Sequence, residues 1–477
     1  MAQDMSPRKG AKRALHGRSL QGMAVLGGAV LLGTTFLSTP VTAQTVEELR
    51  AQISELSQRV DQLQQQKVAT PMIAPAQAVT AGSFPGSIKL PGTNTSFKVS
   101  GYVKSDILWT SVQGLGDSFS VGAIPADGTA RDLSDGAFRI HAKQTRFWID
   151  TRTPSDYGQI RTMIQGDFEG GGGNEFVSNS THFRLRHAYG TIGNFLAGQT
   201  WGNFMILGAL ADTVDFYGPQ GVWFSRQPQI RYTIPFEGGW KVQLSVENPQ
   251  SAIIRPLAGI GASNGGTGFN EDRVPDFTAK VTFGGSWGFA SLAAKLGAYD
   301  VDTAVIGLVP CATCAALDDT EFLWAIHGGA RINTWGKDSV AGTVSYNEGG
   351  GRNLAPFGLP AAYVDMRVPL APDIETIPWT AGQASYEHWW ADNLYSTVAF
   401  GITHVDYPER LHPGVSFAGV TETTISVHAN LQWQPASRVT LGIEYIHGRN
   451  YFWGTPAGAT DDENSAHRVQ AMAKWAF

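Results

Sequence analysis

From Phe97 to Phe477 apolar and polar residues alternate with period two over successive segments, the spacing of strands that are greasy on one face and wet on the other. In 240–247, Val242, Leu244 and Val246 share one face, and Lys241, Gln243, Ser245 and Glu247 share the other. In 424–434, Ile425, Val427, Ala429, Leu431 and Trp433 oppose Ser426, His428, Asn430 and Gln432. Sixteen such segments follow one another, the first starting near Phe97 and the last near Ala466. Their connections alternate in length: seven are tight turns, such as Pro154-Ser155-Asp156 and Gly284-Gly285, and eight are long, such as 201–226 and 347–382. A sandwich has no reason to sort its loops this way, whereas a barrel through a bilayer carries short turns on one rim and long loops on the other. Phe195, Trp240, Trp287, Trp335, Trp390 and Trp433 stand beside the short turns, and Trp475 and Phe477 close the last strand, as rings at a headgroup belt would. The pattern predicts an all-β transmembrane barrel of sixteen antiparallel strands over 97–477, its polar face turned to a lumen.

Ahead of the barrel the period changes. Residues 1–43 read as a secretory signal peptide, with a basic start (Arg8, Lys9, Lys12, Arg13, Arg18), an apolar stretch from Met23 to Leu37 and a cleavage site at Val41-Thr42-Ala43. Over 44–66, Val46, Leu49, Ile53, Leu56, Val60 and Leu63 recur at alternating spacings of three and four, the seam of a coiled-coil helix opened by a Thr45/Glu48 capping box. The same stripe would also suit an amphipathic helix docked on its own domain. Residues 67–96, rich in Ala, Pro, Thr and Gly, read as a semi-rigid linker.

Composition narrows the class. Only 16% of the 477 residues are charged, against about 25% in a typical soluble domain, while Gly numbers 56 and aromatics reach 11%. After the leader no apolar run approaches the roughly 20 residues a spanning helix needs. A helical membrane protein and a disordered chain are both excluded. Removing a leader with five basic residues and one acid takes the formal charge from −6 to −10, which disfavours nucleic-acid binding.

Sixteen strands enclose an aqueous channel, so wall charges and any inward loop decide what passes. The inward parity carries Arg146 and Arg152, then Arg161, then Arg184 and Arg186, then Arg231 and Lys241. In an acidic chain this clustering implies a local positive field that concentrates anions, unless Asp150, Asp167 and Glu169 neutralise it as a solvated wall network. The connection 201–226 is too apolar for a water-exposed loop: Phe204, Met205, Ile206, Leu207 and Leu210 precede Asp212 and Asp215, and Trp223-Phe224-Ser225-Arg226 ends it. Folded inward, it would set Asp212, Asp215 and Arg226 at a constriction, the two acids facing the arginine row. Packing against a neighbouring subunit is the alternative.

The run Arg146-Phe147-Trp148-Ile149-Asp150 through Gly166-Asp167-Phe168-Glu169-Gly170, then Phe183-Arg184-Leu185-Arg186-His187-Ala188-Tyr189-Gly190, Ala197-Gly198-Gln199-Thr200-Trp201 and Arg226-Gln227-Pro228-Gln229-Ile230-Arg231-Tyr232, resembles the DcaP-like outer-membrane porins. The likeness is densest from Gly101 to Tyr232, and the heptads resemble that family's N-terminal coiled coil. It implies a homotrimeric sixteen-stranded porin of the outer membrane, in contact with lipid and lipopolysaccharide. It further implies passage of small anions such as dicarboxylic or aromatic acids, with Arg146, Arg161, Arg184, Arg186 and Arg231 at the constriction. The Val/Ile and Leu order of the seam leans towards dimers by packing rules; barrel contacts should outweigh three heptads.

Enzyme signatures are weak. Cys311 and Cys314 form a lone C-x-x-C, better suited to a disulfide than to catalysis or zinc. Gly170 to Gly173 lack the Lys-Ser/Thr of a phosphate loop, and no two histidines stand four apart. His182 and His187 fall on opposite faces by parity. The expectation is a porin with no catalytic residues, metal or cofactor; a surface hydrolase and a structural envelope tether are the alternatives.

Overall fold

The computed structural model describes residues 45–67, 79–129, 132, 136–174, 176–249, 253–254, 273–302, 318–350, 362–365, 373–407 and 419–477. The leader 1–43 and the Cys311/Cys314 pair lie outside them. The N-terminal unit contains one helix, α1 (Val46–Lys67). It begins where expected: Thr45 N–H donates to Glu48 Oε2 at 3.0 Å and Glu48 N–H to Thr45 Oγ1 at 3.4 Å, the reciprocal capping box. All six stripe residues are exposed.

The other unit is the barrel. Its strands among the described residues are β1 (Ser96–Thr110), β2 in two stretches (Ala137–His141 and Arg146–Thr153), β3 (Ile160–Asp167), β4 (Arg184–Ile192), β5 (Phe195–Trp201), β6 (Arg226–Pro235), β7 (Trp240–Glu247) and β8 (Asp276–Gly285). They continue as β9 (Gly288–Asp302), β10 (Asp318–Asn333), β11 (Ser339–Glu348), β12 (Pro378–Ala391), β13 (Leu394–Val405), β14 (Val420–Ala436), β15 (Val439–Trp453) and β16 (Glu463–Ala476). Each pairs antiparallel with the next, and β16 closes on β1 from Arg468↔Thr110 to Ala476↔Tyr102. Gly101 and Phe477 exchange backbone hydrogen bonds in both directions at the foot of that seam.

The barrel is inverted relative to a soluble protein. On β14, Leu431 and Trp433 are 43% and 47% exposed, while Ser426, His428 and Gln432 are at most 1% exposed. The apolar parity faces out and the polar parity faces in, as lipid outside and water inside require. The tryptophans beside the short turns are exposed as a belt.

Wall height varies. β3, β4 and β5 have 8, 9 and 7 residues, whereas β10 and β14 have 16 and 17. At about 3.3 Å per residue and a tilt near 40°, the low side rises roughly 20 Å and the high side about 40 Å, against an apolar band of about 25 Å.

Some boundaries differ from expectation. The upper stretch of β2, Ala137–His141, pairs with Asp106–Thr110, so this strand begins earlier than the expected Ala142. β12 starts at Pro378 rather than near Gln383 because Trp379 and Ala381 turn inward and pack on Phe204 and Trp223. Residues 67–96 are not linker throughout: Thr80–Ala81 and Ile88–Lys89 form a small hairpin that pairs onto the start of β1. Three short strands, Ile253–Ile254, Ala362–Asp365 and Asp373–Thr376, add a second sheet built from long connections.

Candidate functional site

The basic wall is set by register. Arg146 on β2 lies opposite Asp167 on β3, and Asp167 opposite Arg184 on β4, so the three share the lumen face. Between Gln165 and Gly166 the β3–β4 register slips by a β-bulge. The extra residue of the bulge is Arg186, and its effect is to turn both Arg186 and His187 inward. Parity alone places His187 on the other face. The structure corrects this: His187 is buried, hydrogen-bonded through Nδ1 to Thr200 Oγ1 at 2.9 Å and packed edge-on to Trp201.

One carboxylate therefore holds three guanidiniums. Asp167, fully buried, accepts two bonds from Arg184 (2.9 and 3.0 Å) and one from Arg186 Nη1 (2.7 Å), with Arg146 Nη2 at 3.6 Å. Lower on the same wall, Asp150 takes Arg161 Nη2 at 2.7 Å and Arg152 Nη2 at 3.2 Å. Among the described residues five arginines thus share two acids. Of the network expected as the alternative, Asp150 and Asp167 take part and Glu169 does not, and guanidiniums outnumber the carboxylates they pair with. Arg231, opposite Ser245 on β7, continues the basic line towards the short-turn rim.

Above the cluster, in the connections outside the strands, two acids behave differently. Burial raises the Asp117 carboxyl, but hydrogen bonds from Lys143 (2.6 Å) and Arg139 (2.9 Å) outweigh it and hold the group below its usual range. Glu169 makes no ion pair among the described residues, and burial pushes it up to about 7 despite the nearby Arg184.

The connection 201–226 folds into the barrel and is fastened to the far wall along its length. Its carbonyls accept from wall side chains: Phe204 O from His327, Met205 O from Lys280, Gly208 O and Leu210 O from Arg331, Ala209 O from Gln383. Its N–H groups at Val214 and Asp215 donate to Glu444 at 2.7 and 3.3 Å, and Glu444 also takes His428 and Asn430. Gly221, at φ +80°, lies flat on the strand backbone, where a Cβ would collide with the carbonyls of Gly382 and Ile402. The apolar residues of the loop make a core with β12, β13 and the residue before β12: Phe204, Met205 and Trp223 pack with Ile377, Trp379 and Val405.

This seating corrects the expected roles of the two loop acids. Asp215 does not face the arginine row. It is buried, accepts from Phe119 N–H at 2.8 Å and stands 3.6 Å from Arg468 on β16. Asp212 is held by the Tyr395 hydroxyl at 2.9 Å on β13. What the loop brings to the arginines is aromatic: the Phe216 ring lies 5.8, 5.7 and 5.4 Å from the guanidiniums of Arg146, Arg184 and Arg186. Arg226 stacks over Trp201 at 4.7 Å and Phe224 at 5.2 Å, with no carboxylate ion pair among the described residues. Phe216, Tyr217 and Phe224 pack together beside it. Charge alone does not point to these rings, although they cluster at 216–224 next to Arg226.

The first long connection also folds inward, which sequence parity did not suggest. Leu115, Phe119, Val121 and Ile124 are buried against Ile446 and Ala466, and Phe119 lies 5.3 Å from the Arg468 guanidinium. Both loops are thus packed inside the barrel, and the second presents Phe216 to the arginine wall.

A family model described as "Porin subfamily" matches residues 86–445. This chain belongs to that porin family. Among solved structures the porin is similar to the outer-membrane channel DcaP of Acinetobacter baumannii, with TM-score 0.64 and 23% identity over 80% of this chain and 97% of that one. An anion-selective porin from Comamonas acidovorans shows TM-score 0.47 and 14% identity over 80% of this chain and all of the other. No curated protein matches the sequence significantly. Family and fold make the porin a channel of the outer membrane rather than pointing to an enzyme.

Proposed function

We propose that this porin is a diffusion channel favouring small anions, dicarboxylic and aromatic acids among them. The observation that carries the reading is the excess of guanidinium over carboxylate on one lumen wall, facing loop aromatics. Carboxylates are drawn to Arg146, Arg184, Arg186 and Arg226. A flat acid can also stack on Phe216 or Phe224, and the basic line through Arg161 and Arg231 passes the anion towards the short-turn rim. Water fills the path, so attraction stays weak enough for release.

We also propose export with removal of 1–43 and assembly as a homotrimer embedded in lipid and lipopolysaccharide. The exposed seam of α1 supports association, and so does the low wall at β3 to β5, which is shorter than the lipid band it would otherwise face. In planar bilayers under a salt gradient the reversal potential should report anions as the more permeant, and liposome swelling should be faster with mono- and dicarboxylates than with sugars of equal size. Cation preference, or equal swelling rates, overturns the assignment.

A further inference from the structure

The outer face of the barrel carries a group of side chains that permeation does not use. His447 on β15 and His467 on β16 are direct cross-strand partners on the outward parity, between Tyr445 and Arg449 on one strand and Ser465 and Val469 on the other. Their Nδ1 atoms are 3.4 Å apart, with ring centroids 4.7 Å apart and planes tilted by 34°. The Tyr445 hydroxyl lies 2.6 Å from His467 Nδ1. The histidine–carboxylate pairs among the described residues are elsewhere, at His388 and His428. The nearest outward acid, Glu463, is taken by Arg449.

We infer that His447 and His467 form a binding site for one divalent transition cation of the zinc class. Two nitrogen donors 3.4 Å apart, each about 2.1 Å from a shared ion, subtend about 108°, close to the tetrahedral angle zinc adopts. Imidazole selects zinc, copper and nickel over calcium and magnesium, which require oxygen. The scaffold is rigid: β15 and β16 pair without interruption from Val439↔Trp475 to Tyr451↔Glu463, so binding orders little that is not already ordered. The pair stands eight residues above Trp475, roughly 20 Å up the wall, near the outer edge of the apolar band where water and headgroups meet. The remaining positions on the ion are left to Tyr445 and water. An imidazole nitrogen or phenol oxygen that takes the metal gives up any proton it carries, so binding releases protons. Arg449 on the same face opposes the cation and limits the affinity.

The test is calorimetric titration of the full-chain porin in detergent with zinc chloride, and separately with magnesium chloride. One saturable zinc ion per chain is expected, with no magnesium uptake. His447→Ala and His467→Ala should each weaken zinc binding by about tenfold or more, since even the loss of an outer-shell partner costs that much. Zinc uptake should fall away in acid, because protons compete with the metal for the imidazole nitrogens. Both variants should keep the parent's single-channel conductance, because the pair faces away from the lumen, and this confirms that they fold. Undiminished zinc binding by the double variant, uptake indifferent to acid, or no saturable binding by the parent overturns the inference.

Discussion

Arg226→Gln isolates one lumen charge from the architecture around it. Its guanidinium rests on two aromatic rings and ties down no acid, so the substitution removes one positive charge without orphaning a carboxylate. An anion passing about 5 Å away loses ~0.8 kcal/mol of attraction at the dielectric of water. In 0.1 M salt, with a Debye length near 10 Å, about 0.5 kcal/mol of this survives. That is roughly a twofold drop in anion occupancy and an equal gain for the cation, so the anion-to-cation permeability ratio should fall about fivefold. At 1 M the Debye length shrinks to about 3 Å and the change should shrink to less than twofold. Reversal potentials under matched gradients at the two salt concentrations read both numbers, with Lys337→Gln on an exposed short turn as the variant that moves neither. A ratio unchanged in dilute salt, or a change of equal size at both concentrations, would refute the electrostatic account of selectivity.

Further outcomes follow from the same geometry. Since burial pushes Glu169 up to about 7, the wild type gains a negative charge beside Arg184 between about pH 6 and 8, so its anion preference should decline over that range and stay flat in Glu169→Gln. The folded-state value lies above the ordinary one, so this carboxyl's contribution to stability is retained in acid and lost as pH rises through 7; Glu169→Gln should melt above the parent at about pH 8 and with it at about pH 4. Glu444→Ala strips the acceptor from two loop N–H groups, His428 and Asn430, which should lower stability by about 2–5 kcal/mol in denaturant titrations and make single-channel currents larger and noisier. Gly221→Val cannot sit on the strand backbone, so a lowered melting temperature with altered conductance is expected from thermal and bilayer measurements. Leu49→Asp with Leu56→Asp should reduce cross-linked oligomer while barrel circular dichroism is unchanged.

The strands were legible because period two survives wherever one face meets lipid, and the turns because loop lengths alternate. The inward loop was legible from the hydrophobes Phe204 to Leu210, which have no business in water. What failed were properties decided across the barrel. Parity breaks at the bulge that turns His187 inward, and nothing in a linear repeat marks where one extra residue enters. Charge alone suggests the arginine row for Asp215; its partner, Phe119 N–H, belongs to a second inward loop 96 residues earlier. That loop carried its own signal in Leu115, Phe119, Val121 and Ile124.

Asp167 has a consequence that runs against its sign. Three guanidiniums crowded on one wall repel one another by a few kcal/mol per pair at protein dielectrics, and the carboxylate in their midst is what keeps them gathered and aimed. It acts as a spacer that lets like charges be stored close together. Deleting the acid would strip away a negative charge, yet the three guanidiniums would no longer be held together: here an obstacle by sign is a support by position.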